Sequence, residues 1–274
     1  MSFAESLRSG GFPVALEITP PKTPNPRVLL RRASLLGDVP AAVNVIQRPG
    51  RQSSLDASID LRSAGLAPAW HLVTRGRPPR DVETEVVRAA AAGLDIALVL
   101  LGDHAVFASV LTAGMTIRDT IRFVRQRMPV ALIGATVNQY ANDQAALFRN
   151  LAPKLHAGAA YVQGQPVFDV ERFHAIASAV KDLSPQTKVV AMAMPLLSGE
   201  AADRVSSRLG FPIPEEVRSA VSAGRSWDVF ADTLAALRAD SAVDGVAVMT
   251  FETDPAPDVG DRILECLRSA SIIA

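Results

Sequence analysis

The chain is almost without cysteine. Cys266 is the single one among 274 residues, which excludes an internal disulfide and every zinc or iron–sulfur framework built on several thiolates. With no oxidised pair to protect, a reducing compartment is the expectation. An excess of charge of one sign is missing too. The 28 Lys+Arg balance 28 Asp+Glu, so the chain lacks the basic face that a nucleic-acid polyanion selects. No apolar run reaches the roughly 18–20 residues that cross a bilayer; the longest, at 96–102, is strand-sized. The first residues, MSFAESLRSGGFPVALEITPPK, show no basic stretch leading into an apolar core and a small-residue cleavage site. Together these absences predict a soluble, cytoplasmic protein with no nucleic-acid or membrane partner. Histidine is also sparse, with four in the chain. Neither His71 nor His104 has a second His or Cys at i+2 or i+4 or an acidic cluster beside it, so no metal site is expected. The Gly-x-Ser-x-Gly elbow and the P-loop are absent.

What the chain does contain is a rhythm. Short, nearly continuous apolar runs stand at 13–18, 42–46, 69–74, 95–101, 130–135, 159–162, 188–194 and 245–251, as expected for strands covered on both faces. Between them lie alanine-rich amphipathic stretches at 81–92, 115–127, 142–156, 170–183, 226–240 and 259–271. The first of these, DVETEVVRAAAA, reads as a helix with Asp81 as an acidic cap. Gly93, Gly158 and Gly245 read as helix ends placed just before strands. Eight strand signals alternating with helices over this length predict a (β/α)8 TIM barrel forming a single domain across residues 1–274. A doubly wound sheet is the rival. It would carry a Gly-x-Gly-x-x-Gly turn after the first strand, where Pro20-Pro21-Lys22 stands instead.

In a barrel the chemistry sits at the C-terminal strand ends. Those positions hold Glu17 and Thr19; Asn44 and Gln47; His71, Thr74 and Arg75; Asp103; Thr136 and Asn138; Gln163 and Gln165; Met194; and Thr250 and Glu252. Glu17 lies between Leu16 and Ile18 inside an otherwise apolar strand. A carboxylate there is costly to ionise, so it serves either as a general acid with a raised pKa or as half of a salt bridge inside the barrel. Asp103 fits a helix or turn cap equally well. Arg48 and Arg51 flank Gly50, and Arg75 and Arg77 flank Gly76, which suits anion-binding loops or solvated surface.

Several segments are similar, in order and spacing, to the methylenetetrahydrofolate reductase family. They are ALEITPPKT at 15–23, LVTRGR after His71, LLGDHA at 100–105, KLHAGAAYVQGQPVFDVERF at 154–173, MAMPLLS at 192–198, LGFPIPEEV at 209–217 and GVAVMTFE at 245–252. The resemblance spans nearly the whole chain and implies a (β/α)8 barrel that turns 5,10-methylenetetrahydrofolate into 5-methyltetrahydrofolate, a step feeding methionine biosynthesis. By resemblance Glu17 is the general acid, Asp103 the carboxylate near the reacting rings, and Gln165 a folate-reading amide. A buried acid suits protonation of the amine that opens the substrate's five-membered ring. A nearby carboxylate suits the positive charge that develops there. Thr19, His71, Gln163 and Thr250 are assigned to the substrate, and Arg48, Arg75, Asn138 and Lys154 to the cofactor.

Four departures bear on that cofactor. Leu101 stands where the family has an arginine, Thr136–Tyr140 replaces a flavin-packing segment, Leu147 replaces an acid, and Thr253 an arginine. Three of the four are flavin contacts in the family. The expectation is therefore a reductase without bound FAD, in which NADH or NADPH passes its hydride directly to the reduced folate. The alternatives are an FAD-containing reductase, a folate-dependent methyltransferase or demethylase, and a non-catalytic folate-binding protein.

Overall fold

The structure, a computed structural model, describes residues 1–102 and 114–274. Asp103 and His104 lie outside the described residues. Eight parallel strands are present: β1 (Val14–Ile18), β2 (Ala42–Val45), β3 (Pro68–Val73), β4 (Ile96–Leu100), β5 (Leu132–Thr136), β6 (Tyr161–Pro166), β7 (Lys188–Ala193) and β8 (Gly245–Met249). They close in sequence order, with β1 paired to β8 through Val14↔Val246 and Glu17↔Met249. Closure excludes the doubly wound alternative and establishes the (β/α)8 barrel.

The described helices are α1 (Phe3–Ser9), α2 (Pro26–Ala33), α3 (Ser54–Ser63), α4 (Pro79–Ala91), α5 (Ile117–Arg127), α6 (Gln144–Ala157), α7 (Val170–Leu183), α8 (Gly199–Leu209), α9 (Glu215–Ser222), α10 (Ser226–Ala239) and α11 (Pro257–Ser269). Their starts are chemically set. Asn25, Ser53, Thr116, Asp143, Asp169 and Ser198 each accept a backbone N–H of the first turn. Two sequence expectations need correction. Helix α4 begins two residues before Asp81, behind a proline cap with no side-chain bond, so Asp81 is a first-turn acid and not the cap. Pro79 supplies the fixed φ that starts the helix there. Gly245 opens β8 instead of ending a helix, and a Cβ on it would come 3.0 Å from the Pro13 carbonyl oxygen; Gly93 and Gly158 do adopt positive φ between helix and strand.

The outer strand faces bury Val, Leu and Ile against the helices in two large clusters. The lumen is different. Ala15, Ala42, Ala69 and Ala247 face inwards as small side chains, with Leu98, Leu132 and Tyr161 filling the space between them. Gly134 on β5 makes room for Tyr161, because a Cβ there would lie 2.3 Å from the tyrosine ring. Phe3 and Leu7 of α1 close the N-terminal end, and Phe3 meets the Tyr161 ring edge-on at 6.1 Å.

Candidate active site

Side chains alternate along a strand, so the residue two beyond each floor residue also faces the lumen. Two beyond Ala15, Ala42, Ala69 and Tyr161 stand Glu17, Asn44, His71 and Gln163. Four strands thereby stack one polar layer directly on the apolar floor. All four residues are buried, Glu17 at 8% exposure. Gln163 Nε2 donates to Glu17 Oε2 at 2.9 Å, and Asn44 Nδ2 donates to Gln163 Oε1 at 2.8 Å. Asn44 is held opposite Glu17 by the β1–β2 register. The Gln163 amide is thus oriented by Asn44 and aimed by that orientation at the acid.

Burial pushes the Glu17 carboxyl up to about 7, against the opposing pull of its bonds to Gln163 and Asn44. Burial pulls His71 down to about 4. Between about pH 4 and about pH 7 a protonated acid therefore faces a neutral imidazole. Their closest approach, His71 Nε2 to Glu17 Oε2, is 3.9 Å, too long for a hydrogen bond and, with both groups neutral, not an ion pair. The salt-bridge reading of Glu17 is set aside on this geometry. His71 Nε2 has no partner among the described residues, an unusual state for a buried polar atom.

Above this layer the segment after β5 turns towards β6. Gln139 is fully buried; its Nε2 donates to the Gln165 carbonyl at 2.7 Å and its Oε1 accepts the Gln165 N–H at 2.9 Å. This clamp holds the irregularity in the β6–β7 pairing between Gln163 and Pro166. Tyr140 donates its hydroxyl to the Pro166 carbonyl at 2.7 Å, accepts the Phe168 N–H and stacks on Phe211. Gln165 sits on that irregularity half-buried, and among the described residues its side-chain amide makes no hydrogen bond.

The residues assigned to a cofactor come from four different elements: the segments after β2, β3 and β5, and helix α6. Asn138 is exposed and its Oδ1 accepts the Tyr140 N–H at 3.0 Å, a local turn bond. Lys154 points to the Thr136 carbonyl at 3.5 Å, and burial lowers its pKa. Arg75 keeps a buried Nε with no partner among the described residues, whereas Arg48 is half-buried on the loop after β2. Two of the loop arginines already have partners. Arg77 pairs with Glu85 and donates to the Val73 carbonyl, and Arg51 donates to the Pro20 carbonyl at 3.0 Å. Thr250 Oγ1 donates to the Glu252 carbonyl.

A cleft of about 400 Å³ opens beside Glu17, between the C-terminal ends of β1 and β8 and helix α2. Thr19 and Thr250 line it, as do Arg31, Arg32 and Asp254, which no sequence pattern singles out. Among the described residues no group of His, Cys, Asp and Glu is placed to hold a metal ion, and no helix is long and apolar enough to cross a membrane.

A family model described as methylenetetrahydrofolate reductase matches residues 2–241, and the chain belongs to that family. Among solved structures, a Clostridium thermocellum protein described as binding two copies of 5-methyl-5,6,7,8-tetrahydrofolic acid superposes with a TM-score of 0.71 at 14% identity, covering 98% of this chain and 99% of its own. The coenzyme F420 dependent tetrahydromethanopterin reductase of Methanopyrus kandleri gives 0.59 at 11% identity, covering 94% and 97%. A putative deoxyribose-phosphate aldolase of Toxoplasma gondii gives 0.52 at 15% identity, covering 97% and 96%. At these identities the likeness is one of fold. A search of curated proteins finds no match.

Proposed function

We propose that this member of the methylenetetrahydrofolate reductase family reduces 5,10-methylenetetrahydrofolate to 5-methyltetrahydrofolate with a hydride taken directly from NADH or NADPH. The observation that carries the reading is Glu17, a carboxyl buried in the lumen above an apolar floor, bonded to Gln163, with its pKa pushed up to about 7 by burial. An acid with a pKa near the working pH is the form suited to giving up a proton in the transition state.

The proton goes from Glu17 to the substrate nitrogen that carries the aminobenzoyl group. The bond from that nitrogen to the methylene carbon breaks, leaving an electrophilic iminium on the pterin side. The reduced nicotinamide supplies the hydride that converts the iminium carbon to a methyl group. Glu17 is left as a carboxylate and takes a proton back from solvent, so each turnover consumes one hydride and one proton. Gln163 holds the acid in place throughout, since its Nε2 bond to Oε2 serves the acid and the carboxylate alike. Gln165, whose side-chain amide makes no hydrogen bond among the described residues, is suited to reading the pterin edge with a donor and an acceptor. Asp103 keeps its assignment by resemblance as the carboxylate that stabilises the cation.

The absence of flavin in this reading is supported by what the β5–α6 segment already does. A flavin's ribityl-phosphate tail needs several free polar groups, yet Gln139 and Tyr140 are engaged with β6 and Lys154 with the Thr136 carbonyl. Leu147 adds only apolar surface.

The test is NADH consumption by purified, flavin-stripped protein, dependent on methylenetetrahydrofolate, with the visible spectrum recorded alongside. Turnover by a colourless protein is the expected result. A yellow protein, or activity that needs added FAD, replaces direct transfer with the flavin route. No turnover under either condition, with folate still bound, makes the chain a folate-binding or methyl-transfer protein.

A further inference from the structure

We propose that the cleft between β1, β8 and α2 seats the aminobenzoyl-glutamate arm of the reduced folate, and that Arg31 binds one of the arm's two carboxylates. The assignment rests on the reduced-folate reading above and adds where the arm lies and what holds it.

Glu17 is one of the residues lining the cleft, and so are Arg31 and Asp254, whose side chains are 66% and 44% exposed and mark its solvent side. The nitrogen that Glu17 protonates is the atom from which the aminobenzoyl group hangs, so a substrate placed for that proton transfer must send its arm along a path starting at Glu17. Ile18, Leu35, Ile46 and Met249 give the cleft walls an apolar character. A slot of about 400 Å³ with apolar walls and a few convergent polar groups has the proportions of a small-molecule site. An aromatic ring with a charged end matches it: ring against the walls, anion at the rim.

At the rim the two arginines differ. Arg32 is nearly buried, its side chain 9% exposed, and is fixed on three sides. It donates to the Thr19 carbonyl at 2.7 Å and grips Asp254 through two bonds, Nε to Oδ1 at 3.0 Å and Nη2 to Oδ2 at 2.5 Å. Arg31 makes one bond to the same carboxylate, Nη2 to Oδ1 at 2.5 Å, and is 66% exposed. One carboxylate therefore serves two guanidiniums, which leaves one positive charge over. The other acid on the rim, Glu252, is paired with Arg204 at 3.3 Å. Arg31 has spare N–H donors in the planar fork that matches a carboxylate. The Arg32–Asp254 pair acts as the fixed base on which Arg31 stands.

The experiment is calorimetric and needs no turnover. The full chain and its Arg31→Leu and Arg31→Lys variants are titrated with 5-methyltetrahydrofolate, with a tetrahydropterin that lacks the arm, and with NADH. Arg31 is exposed, so the fold does not depend on it, and circular dichroism verifies that. The expected result is a loss of about tenfold in folate affinity for Arg31→Leu, partly restored in Arg31→Lys, with pterin and NADH affinities unchanged. A loss confined to NADH would instead place the dinucleotide pyrophosphate at this rim and overturn the proposal. Equal losses for folate and armless pterin, or no loss at all, would overturn it as well. Folate binding that depends on Arg31 in a protein with no reductase activity would uphold this site while ending the proposed reaction.

Discussion

The lower and upper halves of the barrel lumen are built by the same strands, two residues apart, and they could hardly differ more. Below, Ala15, Ala42, Ala69 and Tyr161 make a dry, close-packed floor against Phe3 and Leu7. Above, Glu17, Asn44, His71 and Gln163 make a polar layer with an acid of raised pKa and an imidazole nitrogen that has no partner among the described residues. The floor gains from burial and tolerates no extra atom. The layer above it is costly to bury, and its cost shows in the shifted pKa values of Glu17 and His71. Stability and chemistry are thus separated along the strand axis, as the fold allows in general, and here the boundary falls within a single pleat.

Substitutions can break that comparison from either side. The largest expected effect is Glu17→Gln, which keeps size and polarity but has no proton to give. Under the proposed reaction turnover falls about 10³-fold, the middle of the range for general-acid catalysis, while folate still binds and the fold survives. NADH oxidation measures it, and a variant that turns over normally would remove Glu17 from the chemistry.

The second effect sharpens the comparison through pH. Glu17 holds its proton up to about 7 when folded but only to about 4.5 when unfolded, so its contribution to stability declines as pH rises through that window. His71 runs the other way: folded it loses its proton near 4, unfolded near 6.5, so its contribution grows as pH rises between them. In the wild type the two slopes offset one another from about 4.5 to about 6.5. Removing either group exposes the other. Relative to wild type, Glu17→Gln should gain about 3 kcal/mol across those two pH units, at about 1.4 kcal/mol per unit, and His71→Asn should lose a similar amount. Urea unfolding at a series of pH values reads both. Parallel profiles for wild type and variants would show that the neutral acid and imidazole are misassigned.

The smallest effect strikes the floor. Gly134→Ala drives a Cβ into the Tyr161 ring, 2.3 Å away before relaxation. Overpacking of this kind costs about 2 kcal/mol, visible as a lowered unfolding midpoint. The molecules that remain folded should keep their turnover. Lost activity at full stability would mean that the floor is not merely structural.

Much of the fold was legible in the sequence because most strands are nearly continuous apolar runs, as a parallel sheet covered on both faces requires. Five helices were not. Helix α3 buries Ser54 and Ser58 alongside Leu55 and Leu61, so its inner face does not look apolar. Helix α2 follows a proline-rich stretch that reads as loop, although Asn25 before Pro26 is a helix-start signal. Helix α1 is only seven residues long. Helices α8 and α9 both fall between β7 and β8, where one helix per strand was expected.

In the site, Glu17 stood out because a carboxylate between Leu16 and Ile18 has no cheap explanation. Gln163 reads from the sequence as a substrate contact, and its hydrogen bond to the acid is a feature that no sequence pattern indicates. The rim of the cleft carried no signal, since Arg31 and Asp254 lie 223 residues apart and meet only when the barrel closes.

The closed floor has a kinetic meaning. Tyr161, Phe3 and Leu7 are almost wholly buried and stop the N-terminal end of the lumen, which leaves the strand tips as its doorway among the described residues. Substrate must enter there, and so must the proton that recharges Glu17. A chamber with one door cannot be refilled while it is occupied. In the proposed cycle, then, the acid is reset only after product departs, and the recharging step belongs to the empty enzyme.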